Sequence, residues 1–328
     1  MQALYLRDNK LTFLSDYAKP KPVAGEALIR LTRAGVCSTD LELVKGYYPY
    51  NGVLGHEFVG IVEAVADEVH SGWVGKRVVG TINISPDCNG ECGMRCPEQC
   101  PHRTVLGIVN KDGVFADYLT LPIVNLLLVP DNVSTNQAVF TEPLAAAVRI
   151  AEQTTVADKS VAVIGPGRLG MLIAQVLRHF GGNVTVIGRS EKSLELPKDL
   201  GFDTRYSDSV KLGQYDMVVE ATASPAGFKQ AIDLVRPNGE IILKSTYAND
   251  PDQPLFANMA ALFATIVVNE ITLIGSRCGP FDKALALLEQ NAIQVKPFIE
   301  AEYTLADGLV AFEHAARPGV RKILLRSS

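Results

Sequence analysis

The hydrophobic pattern of the chain changes near its middle. Up to about residue 130, short apolar runs such as "EALIRLTRAGV", "FVGIVEAV" and "KRVVGTINI" are separated by Gly, Pro and Asp. This pattern predicts short β-strands joined by turns. From about residue 135, strand-like runs such as "VAVI", "YDMVVEAT" and "GEIILKSTY" alternate with helical segments such as "PAGFKQAIDLVRP". Because such alternation indicates a parallel sheet, we predict an α/β protein.

A glycine-rich turn lies at the start of the alternating part. Gly165, Gly167 and Gly170 form G-x-G-x-x-G, with Arg168 and Leu169 inside the pattern. The turn follows a strand-like run and opens a helical segment, as the dinucleotide-binding motif requires. There the glycines allow a tight turn, close approach to a pyrophosphate and close packing of helix on strand. We therefore predict a nicotinamide dinucleotide, the alternative being a glycine-rich turn without a ligand.

The end of the next strand distinguishes the two nicotinamide cofactors, because an acidic residue there binds the ribose 2′-hydroxyl of NAD. This chain instead has Gly188, followed by Arg189 and Ser190. An arginine can form charge-assisted hydrogen bonds with the 2′-phosphate of NADP. The pattern predicts NADP in preference to NAD. In the alternative, Arg189 is a solvated surface residue and Glu191 reaches the ribose.

Composition limits the class of protein. The chain has 328 residues, which suggests roughly two domains, and 47% of them are apolar. A net charge of −5 argues against a nucleic acid or an anionic membrane as partner. No apolar run reaches the length of a membrane span, and the start "MQALYLRDNKLTF" has no secretory signal pattern. We expect a cytoplasmic protein that acts on a small molecule.

Possible metal ligands precede the glycine-rich turn. Cys37 lies in "AGVCSTD", His56 and Glu57 lie in "GHEFVGIVEAV", and Glu142 lies in "FTEPLAAA". The helical zinc-protease motif is excluded, because H-E-x-x-H requires a histidine where Gly60 stands. A catalytic zinc needs about three protein ligands and one open position. We predict such a zinc at Cys37 and His56, with Glu57 or Glu142 as the third ligand.

Two polar residues near this cysteine have predicted supporting roles. The hydroxyl of Thr39 is suited to pass on the proton of a substrate alcohol, and Asp40 could orient His56, as metal-bound histidines require. Each residue also has a purely structural interpretation, such as a buried Cys37 or an acid at a helix start in Glu142. The whole set, together with the dinucleotide motif, favours the functional interpretation.

The segment "CNGECGMRCPEQC" contains four cysteines with three residues in each gap: Cys88, Cys92, Cys96 and Cys100. Glycines and prolines interrupt the segment, so we expect a loop. Four thiolates in a loop can bind a structural zinc, which in a reducing compartment is commoner than disulfides. We predict a structural zinc there, with empty thiols or a disulfide as alternatives.

Taken together, these stretches resemble the zinc-dependent alcohol dehydrogenase family of the medium-chain dehydrogenase/reductase superfamily, and especially its polyol, glucose and threonine dehydrogenase branch. The resemblance covers essentially the whole chain and includes "GVFADYLTLP" and "VRPNGEI". It implies a GroES-like β-barrel catalytic domain at 1–134, completed by 276–328, and a Rossmann NAD(P)-binding domain at 135–275, with the active site in the cleft. The family's usual cysteine lobe has C-x2-C-x2-C-x7-C spacing, from which this chain departs.

The resemblance also implies residue roles. It makes Cys37, His56 and Glu57 zinc ligands and places Glu142 beside the metal, and Thr39 matches the proton relay. The implied reaction is hydride transfer between an alcohol, or its aldehyde or ketone, and the nicotinamide. Further expected cofactor contacts are Ser245 and Thr246 at the ribose and Arg321 at the pyrophosphate. A zinc-free quinone or enone reductase and a non-catalytic binding protein are the alternatives.

Substrate and assembly are less well defined by the sequence. Tyr47, Tyr48 and Tyr50 in "KGYYPYNG" could hydrogen-bond a polyol or line a pocket for an aromatic alcohol. Residues 264–276, "ATIVVNEITLIGS", form an apolar run that we interpret as a strand. An edge strand of that character should be paired, and the resemblance implies pairing across a two-fold axis. We expect a homodimer or homotetramer.

Overall fold

The computed structural model describes residues 1–85, 97–246 and 259–327. The strands are β1 Ala3–Arg7, β2 Lys10–Leu14, β3 Glu26–Gly35, β4 Gly52–Val53, β5 Glu57–Val65, β6 Arg77–Gly80, β7 Asn83–Ile84, β8 Thr104–Leu106, β9 Asn110–Lys111, β10 Tyr118–Pro122, β11 Leu126–Leu128, β12 Ser160–Ile164, β13 Asn183–Gly188, β14 Asp203–Tyr206, β15 Tyr215–Glu220, β16 Val235–Leu243, β17 Thr272–Gly275, β18 Ile299–Thr304 and β19 Lys322–Arg326. The helices are α1 Ser38–Val44, α2 Thr135–Ala138, α3 Thr141–Gln153, α4 Arg168–His179, α5 Glu191–Asp199, α6 Pro225–Leu234, α7 Met259–Val268, α8 Phe281–Glu289 and α9 Gly308–Ala315.

The chain forms two compact units. The first contains Met1–Glu142 and Phe281–Ser328, and the second contains Pro143–Pro280. Most of the β-structure of the first unit lies in a seven-stranded sheet of order β11-β6-β5-β3-β19-β18, with β10 paired to β3. This unit is the strand-rich part that the sequence predicts. The predicted domain limits at 134/135 and 275/276 stay predictions.

Strand β3 organises the first unit. It pairs with β5 along most of its length, with β10 near its start and with β19 at its end. At that end, Gly35 is opposite Glu57 of β5 on one side and opposite Leu324 of β19 on the other. Two strands that are far apart in sequence therefore meet on either side of one glycine.

The second unit contains a parallel six-stranded sheet of order β14-β13-β12-β15-β16-β17. Counted from β12, this is the strand order 3-2-1-4-5-6 of dinucleotide-binding domains. The order reverses between β12 and β15, and ligands of such sheets bind at the carboxyl ends of the strands at this point. The fold class predicted from the sequence, a GroES-like unit with a Rossmann unit, is confirmed.

The interpretation of residues 264–276 as one strand is wrong in part. Residues 264–268 are the end of α7, and only Thr272–Gly275 form a strand, β17. The β-branched residues of the run favour a strand, but packing of Leu262 and Ile266, one helical turn apart, against the sheet core favours the helix. The helix ends before Glu270, whose φ is 50°. No described helix is long and apolar enough to cross a membrane.

Candidate metal centre and cofactor site

Three side chains of the first unit bring potential metal ligands together. The Cys37 thiol, the His56 imidazole and the Glu57 carboxylate each offer one ligand atom, and these atoms lie within 4.8 Å of one another. Cys37 immediately precedes α1, and His56 and Glu57 stand at the start of β5. His56 is 3% exposed and Glu57 is 1% exposed, whereas Cys37 is half-buried. The group therefore has a buried side and an accessible side.

Asp40 connects the first turn of α1 to this group. Its Oδ2 accepts a hydrogen bond of 2.8 Å from the backbone N–H of Cys37, which fixes the start of the helix. Its Oδ1 lies 3.3 Å from Nδ1 of His56. Both of these atoms are buried, and neither has an aligned hydrogen bond within the described residues. This carboxylate is thus placed to hold Nδ1 of the imidazole and leave its other nitrogen for a ligand.

The electrostatics of the group suit a cation. Burial lowers the pKa of His56, but the Asp40 carboxylate and Cys37 together raise that pKa well above its ordinary value. The raised pKa reflects a negative potential at the imidazole. Thiolate, imidazole and carboxylate are also the ligand types that zinc prefers. Potential and donor set both fit a zinc ion.

A buried lysine also contacts this group and is not predicted by the sequence analysis. Nζ of Lys322 lies 2.8 Å from Oε1 and 2.5 Å from Oε2 of Glu57. Lys322 is 3% exposed and begins the buried strand β19. The available signal was a lysine directly before the apolar run "ILL" in "RKILLR", since buried lysines are almost always paired. The identity of the partner, 265 residues away, could not be read from the sequence.

Thr39 contacts the group, whereas Glu142 is not part of it. The Cys37 thiol donates to Oγ1 of Thr39 over 3.7 Å, so the predicted relay hydroxyl is beside the predicted ligand. Glu142 is half-buried in the first turn of α3 and has interactions of its own. It is not among the ligand atoms within 4.8 Å of one another. Of the two carboxylates considered as third ligand, the structure brings Glu57 to the group.

The glycine-rich turn of the second unit joins β12 to α4, whose N-cap is Gly167. Gly165 has φ of 95°, a conformation that favours glycine. A Cβ at Gly170 would lie 2.0 Å from the carbonyl oxygen of Gly165, so this glycine permits close packing of helix on strand. A Cβ at Gly167 would meet nothing within 4 Å, which leaves the backbone open to a ligand. Each glycine has the geometry that the dinucleotide-binding motif requires. Between them, Arg168 and Leu169 are half-buried.

The end of β13 carries the residues predicted to select the cofactor. Arg189 is exposed and makes no hydrogen bond or ion pair within the described residues, and Ser190 caps α5. Glu191 is bound by Lys198 at 2.5 Å and by the Tyr206 hydroxyl, so its carboxylate already has partners. An arginine without a protein partner is available to an anion.

Gly188 has a structural reason that the sequence did not indicate. A Cβ at this position would lie 2.7 Å from Oγ of Ser193 and 2.7 Å from Cδ2 of Leu194. Helix α5 therefore packs directly on this glycine. This packing is by itself a reason for the absence of an acid at this position.

The remaining predicted residues have less defined surroundings. Ser245 is half-buried and Thr246 is exposed, both just beyond β16. Arg321 is exposed and donates to the carbonyl oxygen of Pro297, so it is Lys322 that points into the first unit. Cys100 is buried, at 2% exposure. The other three cysteines of the predicted structural site, Cys88, Cys92 and Cys96, lie outside the described residues.

Comparison with known proteins agrees with this architecture. Residues 23–131 match the alcohol dehydrogenase GroES-like domain, and residues 169–290 match the zinc-binding dehydrogenase model. A sorbitol dehydrogenase of Halalkalibacterium halodurans is 30% identical, with 99% of both chains covered.

Two crystal structures share the fold. The short chain alcohol dehydrogenase rspB of Escherichia coli CFT073, complexed with NADH, is 26% identical with a TM-score of 0.86, and 99% of each chain is covered. A protein of Sinorhizobium meliloti 1021 bound to NADP is 24% identical with a TM-score of 0.86, covering 99% of this chain and 98% of that one.

A parallel dinucleotide-binding sheet in one unit and a cluster of potential metal ligands in a β-rich unit together define a class, the nicotinamide-dependent oxidoreductases. Within that class, the chain belongs to the zinc-dependent alcohol dehydrogenase family of the medium-chain dehydrogenase/reductase superfamily. The predicted reaction class, hydride transfer between an alcohol or its carbonyl form and a nicotinamide, is confirmed by this membership. The membership also favours this reaction over a zinc-free reductase or a non-catalytic protein.

Proposed function

We propose that this protein is a zinc-dependent dehydrogenase of small polyols or secondary alcohols that prefers NADP. The observation that carries the proposal is the set of ligand atoms of Cys37, His56 and Glu57 within 4.8 Å of one another. When bound there, zinc supplies a Lewis acid that lowers the pKa of an alcohol, and the nicotinamide supplies the hydride acceptor. In this proposal Glu142 is a further carboxylate of the site, as the resemblance to the family implies.

The residues around the group have defined tasks in this proposal. The hydroxyl of Thr39, beside Cys37, accepts the proton of the substrate hydroxyl and passes it on. Asp40 holds Nδ1 of His56 and the start of α1 together, which fixes the imidazole relative to the thiol. In the second unit, the open backbone at Gly167 and the positive end of α4 bind the pyrophosphate, flanked by Arg168 and Leu169.

The preference for NADP rests on the end of β13. Arg189 is exposed and has no described partner, so it is free to meet a 2′-phosphate. Glu191, the acid that could bind the ribose of NAD instead, is held by Lys198. Ser190 and the backbone after β16, at Ser245, complete the proposed ribose contacts.

The proposed substrate class follows from the tyrosines after α1 and from the sorbitol dehydrogenase relative. The Tyr50 hydroxyl is buried and donates to the carbonyl oxygens of Val53 and Lys111 at 2.8 and 2.9 Å. That tyrosine is therefore structural. Tyr47 and Tyr48 are 46% and 42% exposed, so their hydroxyls remain available to a substrate with several hydroxyl groups.

We further propose a structural zinc and a homo-oligomer. Cys100, with Cys88, Cys92 and Cys96, supplies the thiolates for a second ion. The oligomer would form along β17, the edge strand of the parallel sheet, where Leu273 is 38% exposed. Phe263 and Val267 of α7 are further exposed apolar side chains of the same unit. Association into dimers or tetramers is expected in sedimentation at micromolar concentration, and a monomer would contradict it.

A spectrophotometric panel tests the proposed function. Purified protein is assayed with polyols, secondary alcohols and aromatic alcohols, each with NADP and with NAD, before and after treatment with a chelator. We expect turnover of a polyol or secondary alcohol, faster with NADP, that is lost on chelation and restored by zinc. Turnover that survives complete removal of the metal would contradict the proposal.

A further inference from the structure

Lys322 forms a buried ion pair within the proposed metal centre. Its Nζ contacts both carboxylate oxygens of Glu57, at 2.8 and 2.5 Å, and lies 3.4 Å from the carbonyl oxygen of Val36. The side chains of the pair are 3% and 1% exposed. An ammonium group in such a place is stabilised by this carboxylate, because a buried charge without a partner is unfavourable.

The position of the carboxylate depends on a glycine. A Cβ at Gly35 would lie 2.3 Å from Oε2 of Glu57 and 3.3 Å from Cδ of Lys322. The carboxylate therefore lies directly over the Cα of Gly35, in a space that any side chain would occupy. Because the register pairs Gly35 with β5 and with β19, the two charged residues meet over it. The fold provides a defined site for this pair.

The same carboxylate has two competing uses. Glu57 offers a ligand atom to the group that includes Cys37 and His56, yet both of its oxygens already face Lys322. A metal ion at the group must share the carboxylate with the ammonium. It must also tolerate a positive charge nearby in a buried region, where charges are weakly screened.

We infer that Lys322 is a positioning residue that holds Glu57 in its site over Gly35 and thereby weakens metal binding at the centre. The inference rests on the proposed metal site at Cys37, His56 and Glu57. In this arrangement the lysine neutralises Glu57 when no metal is bound, and it limits how firmly the carboxylate can hold an ion.

The direction in which metal binding changes when Lys322 is removed distinguishes competition for Glu57 from simple orientation of Glu57. If Lys322 only orients Glu57 toward the metal, its removal should weaken metal binding, as the loss of outer partners of metal ligands usually does. If Lys322 competes for the carboxylate, its removal should strengthen metal binding. The sign of the change therefore decides between the two roles.

The test follows zinc release from Lys322→Met, whose side chain has a similar length without the charge. Zinc-loaded wild type and variant are mixed with excess chromogenic chelator, and the absorbance of the zinc–chelator complex is recorded. The absorbance trace of Cys37→Ala records zinc that is released from any other site. It is subtracted from the traces of wild type and Lys322→Met. We expect release from Lys322→Met to be slower by on the order of ten- to a hundredfold, the range over which outer partners change metal affinity.

A second readout is the thermal stability of the metal-free protein. Metal-free Lys322→Met should unfold at a lower temperature than metal-free wild type, because Glu57 loses its partner, and zinc should remove this difference. If the variant does not fold without zinc, the release rate of the loaded protein still decides. Release that is unchanged or faster than in wild type would overturn the inference.

Matched variants distinguish a failure of the proposed metal site from a failure of the proposed role of Lys322. Lys111→Met removes another lysine of the first unit, whose Nζ lies 3.0 Å from Glu26 at the opposite end of β3, and should leave zinc release unchanged. If Cys37→Ala releases as much zinc as wild type and at the same rate, the proposed metal site itself fails. If Cys37→Ala loses the ion but Lys322→Met releases zinc as wild type does, only the role of Lys322 fails.

Discussion

A single added methyl group at Gly35 should disturb the proposed metal centre. In Gly35→Ala the new Cβ would lie 2.3 Å from Oε2 of Glu57. An ordinary carbon–oxygen contact is about 3.3 Å, so the carboxylate must move by about 1 Å. Such a movement disrupts its contacts with Lys322, which are 2.8 and 2.5 Å long.

The expected size of the effect follows from the burial of this pair. Removal of one partner of a buried ion pair lowers the free energy of unfolding by about 3–5 kcal/mol. A displaced partner should lower it by about 3 kcal/mol, the lower end of that range. For a unit of this size, that lowers the melting temperature by roughly 6–12 °C. A ligand misplaced by about 1 Å should also lower kcat/KM by on the order of a hundredfold.

The assays are thermal unfolding of the metal-free protein and steady-state kinetics with zinc. Gly72→Ala serves as the control, because a Cβ there would meet nothing within 4 Å and Gly72 lies in the same unit. We expect Gly72→Ala to behave as wild type. The reasoning is refuted if Gly35→Ala is as stable and as active as Gly72→Ala, since the carboxylate would then not lie over this glycine.

Three further predictions concern other parts of the molecule. Arg189→Ala should lower the ratio of kcat/KM for NADP to that for NAD by roughly ten- to a hundredfold, since a charged hydrogen bond contributes about 1.5–3 kcal/mol; an unchanged ratio would mean that Arg189 faces solvent. Thr39→Val should lower kcat by on the order of 10²–10⁴ without loss of zinc, and full activity would exclude the relay. The pKa of Asp216 is lowered from 3.8 to about 2, first by its hydrogen bonds with Ser160 and then by that with Arg236. The ionised carboxylate therefore stabilises the second unit fully above pH 3.8. This stabilisation is lost as the pH falls toward 2. In thermal unfolding, the difference in melting temperature between wild type and Asp216→Asn should therefore decrease as the pH falls from 3.8 toward 2. A difference that does not change with pH would contradict this role of Asp216.

The features that the sequence predicts well are those with local signals. The tight turn at Gly165 and the close packing at Gly170 require glycine at these places, so the motif can be recognised from residues only a few positions apart. The strand and helix alternation after residue 135 is local in the same sense and identifies a parallel sheet.

The features that the sequence does not predict depend on contacts between distant segments. Glu57 and Lys322 are 265 residues apart, and only the pairing of β5 and β19 on either side of β3 brings them together. Residues 264–268 resemble a strand by composition, but packing on the sheet core makes them helical. Likewise, the side chains of α5 exclude a larger residue at Gly188. The spacing of Gly188 from the glycine motif in the sequence does not reveal this packing.

The most direct test of the central claim is the zinc content of wild type and of Cys37→Ala, measured by mass spectrometry of the metal in protein purified under identical conditions. The thiol of Cys37 is one of three ligand atoms within 4.8 Å of one another, so its removal leaves a site with too few ligands to retain the ion. We predict that the variant holds one zinc per chain fewer than wild type, remains folded and binds the dinucleotide, but has lost its turnover. Equal zinc content together with near-normal turnover would contradict the proposed metal centre.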